Sequence, residues 1–524
     1  MATAAKTPTD EATAGAQPPE LAVHCPADGR LVGTLPDMGV DRVAAIAARL
    51  RAAQPDWEAI GPEARAGHLR NWLDWILDNE QRILELVQAE SGKSWGDTKI
   101  ETMVAVEVIN YYSKHGAEFL AVKQVKPHSV AGATKRLRVY HRPHQLVGQI
   151  FPWNYPLGMP IMDVPPALMA GAAVMSKPSE FTPLAWTELV RGWNEEIGAP
   201  RVLASVTGGG TTGAAVVDVV DMIMFTGSVR TGRAIGIRAA ERLIPASLEL
   251  GGKDAMIVLD DADIDRAVGG AIWGGFFNGG QSCIAVERVY VQEPVYDEFV
   301  SKLTARVSEL RTGMDAVGAY ETEFGALAND NQMAIVERHV QDAVDKGARV
   351  LTVGKRAEHG LFYPPTVLVD VDHTMQCMTE ETFGPTLPVM KASSEEDAIT
   401  LANDSIYGLN GSVWTSDPRR GERVARRLET GGVSVNNAMA TIFQFPMPFG
   451  GWKQSGIGVR FGGSAGMLKY CRPQSITTER LSLGSEIHWY PYTKRRSNLQ
   501  ERLVRLLGAH DWRRRLGLRG HRAA

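Results

Sequence analysis

The 524-residue chain is poor in cysteine: Cys25, Cys283, Cys377 and Cys471 lie far apart, and no two form a CxxC pair. That excludes a disulfide framework and a cysteine-rich zinc site, and it suits a reducing, cytoplasmic setting with no metal site. Long apolar runs are missing too, none approaching the roughly 20 residues that a membrane-spanning helix requires. The opening MATAAKTPTDEATAGAQPPE lacks both an apolar core and an arginine. It therefore has the pattern of neither a secretory signal nor a transit peptide, and residues 1–20 read as a disordered arm. No repeat of fixed period appears, which excludes a solenoid.

What remains, 44% hydrophobic and 22% charged residues, is globular material sufficient for two or three domains. The net charge of -4 is unevenly spread, with ten Lys/Arg against two acids between Lys494 and Arg522. There Leu499, Leu503, Leu506 and Leu507 recur at helical spacing, so residues 488–524 read as a basic amphipathic tail. Such a tail serves either as a peripheral membrane or acidic-partner contact or as a helix packed on its own oligomer.

LAVHCPADGRLVGTLP has two short apolar runs around Ala27-Asp28-Gly29, the pattern of a hairpin. Helical spacing dominates from Val40 to about Leu120, with Gly92 as a stop. From Val147, runs such as LVGQIFPWNYP, AAVMSKPSE, DMIMFTGS and ASLELGGKDAMIVLD end in Gly, Pro or polar residues and alternate with helix-length stretches. That rhythm predicts a parallel sheet with helical crossovers, and a second such series follows Asp254. VKPHSVAGATKRLRVYHRP and PQSITTERLS have strand character outside both series.

The chemistry-bearing residues fall in turns after strands, where open α/β sheets bind ligands. FPWNYP puts the Asn154 amide in a proline-bracketed turn, ELGGKD puts Glu249 at the end of an apolar run, and GGQSC puts Cys283 beside flexible backbone. Alone, each has an ordinary structural reading, and the apolar CIAVERVYV favours a core thiol.

Together with KPSE, FTGS, EETFGP and PFGGWKQSGIG, in this order and spacing over about residues 21–480, they resemble the NAD(P)-dependent aldehyde dehydrogenases. The resemblance extends to a branch that includes some bacterial succinate-semialdehyde dehydrogenases. It implies an α/β fold with a Rossmann-type NAD-binding domain (21–125 and 144–253), a second α/β catalytic domain (254–470) and a small β oligomerisation element (126–143 and 471–487). A homodimer or homotetramer is implied as well. Cys283 is then the nucleophile, Glu249 the general base and Asn154 an oxyanion donor. Pro152, Trp153, Lys177, Ser179, Glu180, Gly213, Phe225, Gly227, Ser228, Leu250, Gly251, Glu381 and Phe383 are the implied cofactor contacts, and Glu180 favours NAD, with NADP possible. Many members have lysine where this chain has Asp163 and glutamate where it has Arg460, so both charges are reversed.

The implied reaction oxidises an aldehyde to the acid through a cysteine thiohemiacetal and thioester. Tyr155, Met159, Met162, Phe276, Ile284, Phe443 and Phe445 are the expected apolar pocket wall, while Arg460 is a candidate ligand for a distal carboxylate. A broad aldehyde range, succinate semialdehyde and long-chain fatty aldehydes all stay open as substrates. Thioester cleavage by coenzyme A and a non-catalytic oligomeric or membrane-surface scaffold are the rival readings.

Overall fold

The structure is a computed structural model and describes residues 19–128, 132–481, 484–486 and 488–518. The arm expected over 1–20 lies outside the described residues up to position 18, and Glu20 already opens a strand. Glu20–His24 pairs antiparallel with Leu31–Pro36, and Gly29 takes the left-handed φ of 75° in the connecting turn. Four helices follow: Val40–Ala59, Pro62–Asp78, Glu80–Ser91 and Trp95–Leu120. Gly92 (φ 68°) ends the third, and the Ser94 hydroxyl caps the fourth by accepting from the Asp97 N–H. In Pro62–Asp78 the buried Leu69, Trp72, Leu73 and Ile76 make one face at helical spacing. Trp72 meets Trp186 and Trp193 edge-on at 6.0 and 5.3 Å and donates to the Leu189 carbonyl.

Two sheets carry the functional turns. The six-stranded sheet runs in the order Gly456–Ile457, Ala246–Glu249, Met222–Thr226, Leu146–Ile150, Ala173–Lys177, Leu203–Ser205. It is parallel except at Gly456–Ile457. The chain winds outward in one direction from Leu146–Ile150 and then returns to its other side, so the strand order switches there. A crevice must open at the carboxyl ends of the strands at such a point.

The seven-stranded sheet runs Arg349–Val350, Thr366–Val369, Thr386–Ala392, Val286–Gln292, Asp254–Val258, Asn410–Trp414, Gly432–Val435, parallel except for its first pair. Its central strands are buried along their whole length, as expected where helices cover both faces. Both sheets belong to one compact unit, formed by the described residues up to Ala121 and His141–Arg472. A second unit, Val122–Tyr140 and the described chain from Pro473, holds strand residues of a three-stranded sheet ordered Cys471–Glu479, Lys135–Pro143, Lys123–Val125. It also holds the helix Lys494–Gly508, in which no residue is buried.

Replacing Trp72 by Ala removes the centre of the buried indole cluster. The expected cost is about 3–5 kcal/mol, read as a lower thermal midpoint by circular dichroism; an unchanged midpoint would show that the cluster adds little.

Candidate active site

The crevice at the switch point is a cleft of about 800 Å³ lined by Pro152, Trp153, Lys177, Ser179, Glu180, Gly213, Phe225, Gly227 and Ser228. Lys177, nearly buried, lies 3.6 Å from the Glu180 carboxylate and donates to the Pro178 carbonyl; burial lowers its pKa. Ser228 caps the helix Val229–Glu241, whose first N–H groups face this cleft, a favourable site for an anionic pyrophosphate. Thr226 Oγ1, also in the lining, is buried without a partner. A cleft of about 800 Å³, a helix N-terminus and an orphaned hydroxyl fit a dinucleotide.

Leu250, Gly251, Glu381 and Phe383 lie outside that lining. Phe383 meets Trp153 edge-on at 5.4 Å, and Glu381 Oε1 accepts from the Gly252 N–H at 3.1 Å. A Cβ on Gly251 would sit 2.3 Å from Glu381, so only glycine fits beside that carboxyl. Burial, with the negative charge of Glu287, pushes the Glu381 pKa up to about 8. Glu287 accepts from the N–H groups of Thr382 and Phe383 at 2.8 and 2.9 Å and from Lys253 Nζ at 2.6 Å, fixing the turn that carries Glu381.

Cys283 is buried in the turn before Val286–Gln292. Three consecutive left-handed residues, Asn278, Gly279 and Gly280 (φ 56°, 65° and 71°), lead into it. A Cβ at Gly280 would stand 2.2 Å from the Gly384 carbonyl oxygen, so space and φ both demand glycine there. The turn is tied internally and to Asn154. Asn154 Nδ2 donates to the Gln281 carbonyl at 3.0 Å, and Asn278 Nδ2 donates to the carbonyls of Asn154 and Gln281 at 3.0 and 3.1 Å. The Asn154 amide thus faces the thiol turn with one N–H uncommitted.

Glu249, at the carboxyl end of Ala246–Glu249, closes the triad. Its Oε1 is buried without a hydrogen-bond partner, and its Oε2 is 3.2 Å from Arg460 Nη1. Burial raises the Glu249 pKa and Arg460 opposes the rise. Burial, then the neighbouring Glu249 charge, push the Cys283 thiol well above its usual value. The resting thiol is protonated, so a base has to take that proton for it to react.

Two acids that the sequence reading passed over hold these turns from the helix Trp95–Leu120. Asp97 Oδ2 accepts from the Asn278 N–H at 3.0 Å, and Glu101 Oε2 accepts from the Leu157 and Gly158 N–H groups at 2.8 and 2.9 Å while pairing with the buried Lys93. Burial raises the Asp97 pKa to about 7. The available signal was acids four apart on the face that also carries Ala105 and Val108.

Beside the thiol turn lies a narrow apolar cavity of about 30 Å³, lined by Ile100, Val104, Tyr155, Met159, Met162, Phe277, Met439, Ile442 and Phe443, with Glu101, Gly158 and Ser282. The expected wall needs correction at three positions. Phe276 stacks on Phe324 at 6.3 Å, Phe445 packs on Phe461 at 5.6 Å, and Ile284 is buried, so none of them lines the cavity. Arg460 needs correction as well. It is fully buried and committed to Glu249, Asp163 and Met159, which leaves it unable to receive a substrate carboxylate.

The family model described as the aldehyde dehydrogenase family matches residues 13–476. The chain belongs to the aldehyde dehydrogenase family. It is 38% identical to a 4,4'-diapolycopene aldehyde oxidase of Methylomonas sp over 90% of this chain and 88% of that one. With a putative succinate-semialdehyde dehydrogenase [NADP(+)] of Mycolicibacterium smegmatis it shares 39% identity over 86% and 87%. An aldehyde dehydrogenase of Mycobacterium tuberculosis, solved with NAD+, superposes with a TM-score of 0.83 at 34% identity, covering 89% of this chain and 95% of that one. The protein is an oxidoreductase that oxidises an aldehyde to the carboxylic acid with NAD(P)+.

Iodoacetamide inactivation of this aldehyde dehydrogenase is expected to be slow at neutral pH and to accelerate into the alkaline range, because the thiolate fraction grows only as pH approaches the raised thiol pKa. Cys283→Ala is expected to abolish the reaction. Rapid alkylation at pH 6 would contradict the protonated resting thiol.

Proposed function

We propose that Cys283 attacks the aldehyde, Asn154 and the Cys283 backbone N–H stabilise the resulting alkoxide, and Glu249 is the base for both half-reactions. The observation that carries this reading is the convergence of the three side chains on one buried turn, with Glu249 Oε1 unpartnered beside the thiol. Glu249 takes the thiol proton, and the sulfur bonds the carbonyl carbon to give a thiohemiacetal alkoxide. Removing one oxyanion donor typically costs about 10²- to 10³-fold in rate. Bound NAD(P)+ supplies the hydride acceptor, held by the residues of the 800 Å³ cleft with Glu381 and Phe383 at the nicotinamide end. Once the thiol proton has passed from Glu249 to solvent, Glu249 deprotonates water, which bonds the thioester carbon; the C–S bond breaks, the acid forms, and the sulfur takes the proton back from Glu249 as the free thiol.

In this reading the six-stranded sheet with the preceding helices is the NAD-binding domain and the seven-stranded sheet the catalytic domain. The strands Lys123–Val125, Lys135–Pro143 and Cys471–Glu479 support a homodimer or homotetramer. Glu180 accepts from a ribose 2'-hydroxyl and repels a 2'-phosphate, which favours NAD over NADP.

The substrate is an aldehyde with an apolar body. The cavity beside the thiol offers no uncommitted cation to a distal carboxylate, and its acid, Glu101, is occupied by the Leu157 and Gly158 N–H groups and Lys93. A carboxylate buried there without a partner costs several kcal/mol, on the order of what separates a good substrate from a poor one. The relative named for 4,4'-diapolycopene aldehyde agrees in chemistry. The tail adds a route to such compounds. Leu499, Leu503, Leu506 and Leu507 are exposed on a helix carrying Lys494, Arg495, Arg496, Arg502 and Arg505, a pattern suited to an anionic membrane surface around a cytoplasmic enzyme.

NADH formation across short, aromatic, long-chain and semialdehyde substrates tests the assignment. The expected order places decanal about tenfold or more above succinate semialdehyde in kcat/KM, with Cys283→Ala inactive on all. Preference for the semialdehyde would overturn the substrate reading, and turnover by Cys283→Ala would overturn the nucleophile. Truncation after Tyr492 is expected to abolish co-sedimentation with phosphatidylserine vesicles; unchanged binding would assign the tail to another role.

A further inference from the structure

Arg460 is a buried cation shared by two buried carboxylates. Its Nη1 lies 3.2 Å from Glu249 Oε2, and its Nε and Nη2 each lie 3.4 Å from Asp163 Oδ2. Nη2 also contacts Met159 Sδ at 2.9 Å. Asp163 in turn accepts from Lys469 Nζ at 3.3 Å and the Tyr470 hydroxyl at 3.1 Å through its other oxygen. Arg460 thus takes one oxygen of Glu249, while among the described residues Oε1 has no partner other than the facing Cys283 thiol.

We propose that Arg460 is a positioning residue for Glu249: by occupying Oε2 and keeping the carboxylate ionised, it leaves Oε1 as the single basic atom presented to the Cys283 thiol and to the hydrolytic water. The proposal deepens the assignment of Glu249 as base and rests on it. In hydrolysis, the water oxygen bonds the thioester carbon as one of its protons passes to Oε1. Collapse breaks the C–S bond, the sulfur leaves with the electron pair, and the proton on Oε1 returns to it. Water and thioester become acid and thiol, and Glu249 ends ionised against Arg460. Asp163 keeps Arg460 neutralised while Glu249 carries the proton, so the cation is never left alone in the interior.

The two partners of Arg460 act on Glu249 with opposite sign. Loss of the guanidinium charge makes ionised Glu249 harder to sustain, which moves the acid limb of activity to higher pH. Loss of the Asp163 charge leaves Arg460 wholly to Glu249, which moves that limb lower. The other titratable groups facing this cluster are Cys283 from the thiol turn, Lys469 and Tyr470 after the helix Gly463–Leu468, and Tyr112 from Trp95–Leu120. Glu381 and Asp254 act from the cofactor side. All six are unchanged in the variants below.

The test uses the full chain with decanal and NAD+, measuring the pH profile of kcat, the pre-steady-state NADH burst and the iodoacetamide profile of Cys283. Glu249→Gln is expected to lose about 100-fold or more in kcat. Arg460→Met is expected to lose at least about tenfold in kcat, with the acid limb raised by about one pH unit or more and an NADH burst that marks slow hydrolysis. Arg460→Lys keeps the charge without the fork and is expected to fall between wild type and Met. Asp163→Asn is expected to move the limb down. If Arg460→Met does not fold, the limb positions of Arg460→Lys and Asp163→Asn decide. Unmoved limbs, or limbs moved in the same direction by Arg460 and Asp163 variants, with Glu249→Gln inactive, would overturn the role of Arg460 alone. Full activity of Glu249→Gln would overturn the base assignment itself.

Discussion

Around the thiol, Glu249, Asp163 and Arg460 are almost completely inaccessible to solvent, and an unpaired charge there would cost several kcal/mol. The structure answers with an alternating chain, Glu249 to Arg460 to Asp163 to Lys469, in which every charge touches one of opposite sign. Desolvation drags the Lys469 pKa down to about 8.

The same chain of contacts gives meaning to two sequence departures that looked separate. Positions 163 and 460 are 297 residues apart and each reverses a charge common in the family, yet their side chains meet. The neighbour of Glu249 is therefore a cation.

Fold and site were legible to different depths. Two series of short apolar runs read directly as two largely parallel sheets, since a strand buried on both faces leaves an unbroken apolar signature. The turns Phe151–Asn154, Glu249–Gly252 and Gly280–Cys283 were legible because glycine and proline mark backbone that must leave a strand abruptly. Asp97, Glu101 and Glu287 were not, although they hold the Asn278, Leu157 and Thr382 N–H groups. Their partners lie far away in sequence, and nothing in a local window distinguishes an acid that caps a distant turn from one that faces water. Arg460 was visible as a charge but not as a committed one. Only the position of Asp163 decides whether its fork is free for substrate. The cavity wall erred by one residue at Phe276 and Phe277 because the helix ends at Phe276 and the backbone leaves it at Phe277 (φ -53°, ψ 132°), which separates core from lining.

Dryness links the site to its substrate. Excluding water strengthens every electrostatic contact that the alkoxide needs, and it also raises the thiol pKa, so the gain at Asn154 is offset at Cys283. Glu249 lies beside the thiol, and Arg460 opposes the rise that burial imposes on its pKa. The cavity next to it extends the same condition outward: Ile100, Val104, Met159, Met162, Phe277 and Ile442 line it and leave a second charge without a partner. The charge network beside the thiol and the apolar wall next to it are therefore two features of one low-dielectric enclosure.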